Sequence, residues 1–554
     1  MPTAARTCRV AAALLLLTAA NVAKGQYAPA TGSAATTGNP TTLGAPQTAP
    51  RAPQTQDLST TASDSRFRTG GWAVQPSITL RETYTDNAFP DSTEARSDFV
   101  TQVTPGIRVE GRTPRLTANF NYAPTGLFFA QNTEANDVVN NLSVYANLEA
   151  VERFFFVEGS GYIAQTYVSP FAPRPADVIN TTQNRIETRT ATLSPYIRHE
   201  GRDLVYELRN RNTWTNSNQP SLGNFRTQQW TGRVAGPVRV FGWALEFDDT
   251  SVQHYDALVN RPEDKARLYR ARLYWQPDPA WRLSASGGSE ENNYILGEMQ
   301  RTTIYGAAVA WRPSTRTTAD VEYENRFFGP YRLARFTHRT RLTAWSLSYT
   351  RNYSTYQQEI LRLAPGDTTA LLDAAFAGRF PDPDQRRAAV EQFQRASGTP
   401  EFLANSIAFY TQTVFLNEVV DASFAIIGAR NSITFTAYAG ETTQLSADAL
   451  GILPDALLQA SVIRQRGFAT YIDHKLTPST TIGARAMRVY SDQIQPVSFP
   501  SKNDYFSVLL TYLASPKTTL FTGVALSRFD TDNPLFRPNW DSNSVFVGLN
   551  HRFY

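Results

Sequence analysis

Most of the chain beyond residue 70 alternates between apolar and polar positions. In Leu142–Ala150 the even positions are apolar, and in Phe241–Asp248 the odd positions are large and apolar. A period of two residues predicts β-strands with one apolar face. Many runs last about 10–14 residues, beyond the usual length of about 5–6 for soluble strands and enough for the roughly 9–11 of a tilted membrane strand.

The connections between these runs fall into two classes. Tight turns are predicted at 113–115, 201–203, 277–279, 313–315, 477–479 and 515–517. Between them lie longer polar loops, at 85–97, 168–184 and 355–418. Short turns at one end of the strands and long loops at the other are typical of outer-membrane barrels.

Repeated hairpins of this kind predict a meander, and a meander in lipid must close because an open edge leaves backbone groups unpaired. We therefore predict an all-β fold: a closed antiparallel transmembrane β-barrel of about 22 strands (18–24), with short helices in long extracellular loops. It begins near Trp72, has both termini in the periplasm and lies in the outer membrane of a Gram-negative bacterium. The last strand ends on aromatics, and Phe553 and Tyr554 resemble the C-terminal signal for barrel assembly.

The N-terminal segment has the layout of a secretory signal peptide. Arg6 and Arg9 precede an apolar stretch, and small residues follow, so residues 1–25 are predicted to be removed by cleavage between Gly25 and Gln26. Residues 26–70 are rich in Thr, Ala and Pro and predict a disordered periplasmic linker. Residues 71–554 then form the barrel.

Two segments break the alternation. Within 355–418, Asp384 can cap a short helix that carries Val390 and Phe393 on one face. Residues 446–460 predict another short helix. We expect 355–418 to form a partly helical extracellular lid or an inward constriction, because a wide barrel would otherwise leak.

Composition excludes several classes of function. The single cysteine rules out a disulfide scaffold and a cysteine zinc cluster, and the net charge of +4 spread over 554 residues gives no basis for nucleic-acid binding. The five histidines lie in no H-x-x-x-H arrangement, and no G-x-S-x-G motif occurs. We therefore predict no enzyme, no catalytic residue, no metal and no cofactor.

Charged side chains recur in the middle of the predicted strands. A charge facing lipid at the bilayer midplane costs about 2–4 kcal/mol, so these faces should point into the lumen. They are either a polar path that selects solute or the paired charges of any large, wet barrel interior. The predicted lumen-lining residues are Arg209, Arg211, Glu246, Arg270, Arg272, Glu322, Glu324 and Arg326.

Several short motifs resemble one known family. They are Thr79–Asn87, Thr104–Ile107, Pro381–Pro383, Ile427–Ser432, Gln465–Gly467 and Leu476–Pro478. In this order, from about residue 72 to the end, the chain resembles the outer-membrane proteins associated with the PEP-CTERM/exosortase system, related to β-barrel porins of exopolysaccharide loci.

This resemblance implies a barrel that acts in export or surface handling of an exopolysaccharide, with no catalytic residues. A general or small-solute porin and a non-transporting scaffold or attachment protein are the alternatives. The expected partners are outer-membrane lipid and lipopolysaccharide, the barrel-assembly machinery, polysaccharide and periplasmic export components, without nucleic acid.

Overall fold

The structure is a computed structural model that describes residues 71–90, 93–219, 223–255, 263–295, 297–354, 368–397, 399, 414–445, 462–495, 498–532 and 539–553. The predicted signal peptide and linker, the predicted helix at 446–460 and Tyr554 lie outside these residues. None of the described helices is long and apolar enough to cross a membrane.

The described strands form one antiparallel sheet. In chain order they are β1 Trp72–Thr85, β2 Asp98–Arg112, β3 Leu116–Tyr122, β4 Thr125–Phe129, β5 Asp137–Val139, β6 Leu142–Val151, β7 Phe155–Tyr167, β8 Arg185–Glu200, β9 Val205–Ser217, β10 Asn224–Ala235, β11 Phe241–Tyr255, β12 Asp264–Asp278, β13 Trp281–Asn292, β14 Gln300–Ser314, β15 Thr317–Arg326, β16 Gly329–Arg339, β17 Thr343–Ser354, β18 Phe415–Ile427, β19 Asn431–Gln444, β20 Val462–Lys475, β21 Thr480–Gln495, β22 Phe499–Ser515, β23 Thr518–Thr531 and β24 Trp540–Arg552.

These segments make a closed barrel of 22 strands, which confirms the predicted fold. Segments β3 and β4 both pair with β2 and count as one interrupted strand, as do β5 and β6. Closure comes from β1 and β24, where Ser77 lies opposite Arg552 and Thr85 lies opposite Ser544. No sheet edge is therefore left open along this seam.

The predicted asymmetry of the connections is also confirmed. Short turns join β2 to β3, β8 to β9, β12 to β13, β14 to β15, β20 to β21 and β22 to β23 at one end of the barrel, called here the short-turn end. β1 begins and β24 ends at the same end. In outer-membrane barrels the short turns face the periplasm, so the opposite, long-loop end faces the outside.

The alternation of the sequence separates an outer from an inner face. On β12, Tyr269 and Leu273 are exposed on the outside, whereas Arg270 and Arg272 between them are buried on the inside. Tryptophans project outward near the short-turn end, as expected for an interfacial girdle: Trp243, Trp275, Trp281 and Trp345. The outer wall thus presents apolar surface to lipid, which places the protein in the outer membrane.

Two helices form a hairpin between β17 and β18. Helix α1 spans Thr368–Phe376 and helix α2 spans Pro383–Ser397. Asp382, rather than the predicted Asp384, caps α2, because its Oδ1 accepts the Gln385 backbone N–H at 2.8 Å and Pro383 takes the first helical position. Val390 and Phe393, which are predicted to share one face of this helix, both pack: Val390 is buried, and the Phe393 ring lies edge-on against Phe376.

Candidate functional site: a two-sided lumen

The helical hairpin, residues 368–397, lies deep inside the barrel at the short-turn end. Leu371 and Ala375 of α1 pack on Ala344 and Ala425, which pair with each other close to the short turns of β17 and β18. Of the two predicted alternatives for 355–418, its described part is therefore an inward constriction and not a lid at the outer rim.

Polar contacts fix α2 across the lumen. The Tyr471 hydroxyl on β20 donates to the Ser397 carbonyl at 2.6 Å. Glu391 on α2 lies 3.5 Å from Arg108 on β2. Since β20 and β2 stand on either side of the β1–β24 seam, α2 bridges this sector of the wall. The hairpin is itself held together by an ion pair of 2.7 Å between Arg386 and Asp373.

A second segment, the loop 168–184 between β7 and β8, also folds inward. Its Arg174 donates to Ser491 Oγ on β21 at 3.2 Å, and Asn503 on β22 donates to the Arg174 carbonyl at 2.9 Å. Asp177 pairs with Arg81 on β1 at 2.7 Å. Burial lowers the pKa of the Arg174 guanidinium. The loop, called here the inward loop, therefore reaches across the seam near the long-loop end.

The wall beneath these two segments is largely apolar. Its buried residues come from the inner faces of β19–β24 and include Tyr438, Met487, Tyr505 and Phe546, with Ala176 of the inward loop packed against them. Apolar and aromatic surface of this kind favours a packed, dry contact. The described contacts that anchor the hairpin and the inward loop to this wall lie on β16–β24 and β1–β5. The inward loop also contacts the two strands that flank it, through Tyr167 on β7 and Arg185 on β8.

The opposite wall carries charge in strict register. Across five neighbouring strands, β8 to β12, residues of alternating sign lie directly opposite one another on the inner face. This charged row consists of Arg198, Glu207, Arg233, Glu246 and Arg270. Opposite charges at facing positions each contribute about 0.2–1 kcal/mol.

Beyond β12 the row continues as a buried ion-pair network. Arg270 lies 2.7 Å from Glu246 and 2.9 Å from Glu324, and its side chain is 1% exposed. Arg272 lies 2.6 Å from Glu322. Arg326 binds Glu290 through two nitrogens, at 2.5 and 2.7 Å. Since each buried arginine has carboxylate partners, the network is close to neutral and its desolvation cost is offset.

Two glycines permit the longest of these links. Arg270 is on β12 and Glu324 is on β15, so their ion pair spans the two strands between them. Gly288 and Gly306 lie opposite these residues on β13 and β14. A Cβ on Gly288 would stand 2.0 Å from the Tyr269 carbonyl oxygen, so no other residue fits without moving the strand.

A second cluster, which shares Glu207 with the charged row, surrounds Arg209 on β9. Its guanidinium lies 3.2 Å from Glu158 and 3.1 Å from Glu207, and it stacks over the Tyr196 ring at 3.9 Å. Arg211, two residues along the same face, donates to Gln229 at 3.4 Å. This cluster extends the polar wall toward β7.

The structure thus brings the eight predicted lumen residues together on one side of the barrel. Seven of them are in ion pairs and Arg211 is hydrogen-bonded, so each is part of the wall's own network. Whether they guide a solute stays a prediction. The roles of Phe553 as an assembly signal and of Gly25 and Gln26 as a cleavage site also remain predictions.

Sequence reasoning missed several groups of this site, among them Glu158, Arg198, Arg233, Glu290 and the inward loop. The four strand residues carried the same signal as the predicted ones, a charge at an inward position of an alternating strand. The inward loop was identified only as long and polar, yet it holds Phe171, Val178 and Ile179, which are buried. Apolar residues in a long external loop of a barrel are a signal that the loop packs on something.

No family model matches the chain, and no curated protein matches it. Among solved structures it is similar to the FrpB iron transporter from Neisseria meningitidis (8% identity, 86% of this chain and 82% of that chain, TM-score 0.46). It is also similar to a mutant of the ferric enterobactin receptor PfeA from Pseudomonas aeruginosa (8% identity, 88% and 81%, TM-score 0.45). A third similar structure is OccAB2 from Acinetobacter baumannii (11% identity, 87% and 98%, TM-score 0.29).

Proposed function

We infer that the protein is a passage for a hydrated polar solute, and that this solute is an exopolysaccharide crossing the outer membrane or being handled at the surface. One observation carries the first step: the lumen has two unlike sides. The described anchors of the inward segments lie on the apolar side, and β9–β15 on the other side present paired charges. Among the described residues, the inward segments have no anchor on the inner face of β9–β15, which supports a path along the charged wall.

The chemistry of that wall suits a solute with many hydroxyl groups. Arginines and carboxylates alternate in register, so the wall offers donors and acceptors in turn with little net charge. Conduction requires binding that is weak and distributed over several sites, so that a solute enters and also leaves. A row of paired charges has this property, because none of them must give up its own partner completely to contact a sugar.

The choice of exopolysaccharide is supported by the resemblance to PEP-CTERM/exosortase-associated outer-membrane proteins and by nothing in the geometry. A second candidate is a small-solute porin. Two segments inside the lumen favour the porin: the inward loop near the long-loop end and the hairpin at the short-turn end. Both reduce the cross-section available to a polymer.

A deletion strain distinguishes the candidates. Loss of surface polysaccharide, or its retention in the periplasm, with normal uptake of small solutes would support the exopolysaccharide assignment. Normal polysaccharide with impaired uptake would favour the porin. If neither changes, the barrel is a scaffold or attachment protein and the proposed passage is wrong.

The refolded full chain gives a direct test of passage. We expect deletion of residues 368–397 to raise single-channel conductance in planar bilayers, because the hairpin occupies the short-turn end. The matched control is Arg108→Gln, which removes one anchor of α2 and keeps the helices; it should raise current noise without reaching the conductance of the deletion. Equal conductance of all three proteins would contradict a path limited by the hairpin.

A further inference from the structure

Arginines gather on the inner face at the short-turn end of the charged side. Arg282 on β13, Arg312 on β14, and Arg335 and Arg339 on β16 all occupy inward positions of their strands. The register places Arg282, Ala310, Asp320 and Arg335 in one row across four strands. These four arginines are called here the arginine mouth.

The arginine mouth is not neutralised as the network above it is. Asp320 lies 3.5 Å from Arg312, and the two side chains are 25% and 36% exposed. Arg282 donates instead to the amide oxygen of Gln276, and Arg339 donates to the Thr315 carbonyl. Within the described part of the chain, no carboxylate lies within 4.0 Å of Arg282, Arg335 or Arg339.

The mouth also faces water. Arg335 is exposed although Tyr331 and Leu333, on the same inner face of β16, are buried. The hairpin bounds it on one side: Arg339 Nη1 is 3.7 Å from the place a Cβ on Gly378, in the turn between α1 and α2, would take. The arginines therefore line the charged wall beside the hairpin.

Like charges that face water inside a low-dielectric wall raise the local concentration of counter-ions. A guanidinium also presents parallel N–H donors that match the two oxygens of a carboxylate or phosphate. The charged row above the mouth is almost neutral and gives no such preference. We therefore expect the mouth to set the sign of the charge on the preferred solute.

We propose that the arginine mouth selects oxyanions, so that the solute passing this barrel carries carboxylate or phosphate groups, as an acidic glycan does. This inference rests on the proposed passage and names its substrate class. It assigns Arg282, Arg312 and Arg335 as the binding groups and Arg339 as the contact to the hairpin.

The first test is binding to the full chain in detergent at low ionic strength, with glucuronate, glucose 6-phosphate and glucose as probes. We expect the two acids to bind and glucose not to, and the variant R282Q/R312Q/R335Q to bind the acids about fivefold more weakly or worse. Stronger binding of glucuronate would identify carboxylate as the preferred group, and stronger binding of glucose 6-phosphate would identify phosphate. Equal binding of all three probes, or unchanged binding by the variant, would overturn the proposal.

The second test is the reversal potential in a potassium chloride gradient across a planar bilayer. We expect the wild type to prefer chloride at 0.1 M salt, where the Debye length is about 10 Å, and to lose the preference near 1 M. The matched control, R466Q/R488Q/R528Q, removes three arginines from the outer face of β20, β21 and β23 and should leave selectivity unchanged.

The two tests separate the two claims. Acid binding that depends on the three arginines, without measurable current, would contradict the passage and leave the anion site standing. Current without anion preference, or with equal preference in wild type and R282Q/R312Q/R335Q, would contradict the anion site and leave the passage standing. A gel-shift assay of heat-modifiable mobility checks that each variant is folded.

Discussion

The link between Arg270 and Glu324 offers a quantitative test of the charged wall. Both side chains are almost completely buried, and Arg270 also binds Glu246 while Glu324 also accepts a hydrogen bond from Ser286. We propose to measure R270M, E324Q and the double variant. Each single substitution removes one partner and leaves the other charge in its buried site.

The magnitude follows from the number of partners that remain. Removing one member of a buried ion pair typically costs about 3–5 kcal/mol, because the other charge is left uncompensated. In E324Q, Arg270 keeps Glu246 at 2.7 Å, so the loss should be smaller, about 1–2 kcal/mol. In R270M, Glu324 keeps only the more distant Arg326, at 3.8 Å, and Ser286, so we expect about 3 kcal/mol. The double variant should recover part of this loss, giving a coupling energy of about 1–3 kcal/mol.

The assay is equilibrium urea unfolding of the refolded barrel in lipid vesicles, followed by tryptophan fluorescence. The matched control is the ion pair between Arg301 and Glu291, which joins β14 to β13 at 3.7 Å with the arginine side chain 73% exposed. Its coupling should be about 0–1 kcal/mol, as for exposed pairs in general. If the two double-mutant cycles give equal coupling energies, the reasoning that burial strengthens the Arg270–Glu324 ion pair is refuted.

Three further predictions concern other parts of the wall and the hairpin. L273R puts a charge on the lipid side of β12, where the leucine is 66% exposed and lies two residues from Trp275 of the girdle, and should cost about 1–2 kcal/mol in the same assay. D98A removes the carboxylate that accepts three backbone N–H groups of the loop at 130–132; it should cost about 2 kcal/mol and speed hydrogen exchange at those amides. D382A removes the cap of α2, worth about 1 kcal/mol, and should speed exchange of the Gln385 amide while leaving global unfolding unchanged.

The barrel itself could be predicted because the signals that specify it, alternation and turns, lie within short stretches of sequence. Alternation on β11 and β12 reports directly which face meets lipid, and turns such as 113–115 report where each strand must reverse. Strand number followed from counting these units. The predicted count of about 22 is confirmed when β3 and β4, between which Pro124 interrupts the ladder, are counted as one strand and β5 and β6 as another.

The division of the lumen into two sides could not be predicted in the same way. It depends on which strands become neighbours of a loop that folds back, and the contact of Arg174 with Ser491 joins residues more than 300 positions apart. The pairing of Arg270 with Glu324 likewise needs the register of four strands and the two glycines between them. The sequence shows that a charge faces inward; only the assembled wall shows its partner.

The apolar side and the charged side of the lumen depend on each other. A segment that folds into a barrel must bury its own apolar residues, and it can do so only on wall that is itself apolar, as Val178 and Ile179 do beside Leu127 and Phe129. A charge on that wall gives up water and must find its partner in the segment that covers it, as Arg81 does in Asp177 and Arg108 does in Glu391. The charges are therefore concentrated where the described inward segments have no anchors, and there they must pair with one another across strands. Neutral pairing makes the upper wall permissive toward solutes of either sign, so a charge preference must arise where pairing fails, as it does at the arginine mouth.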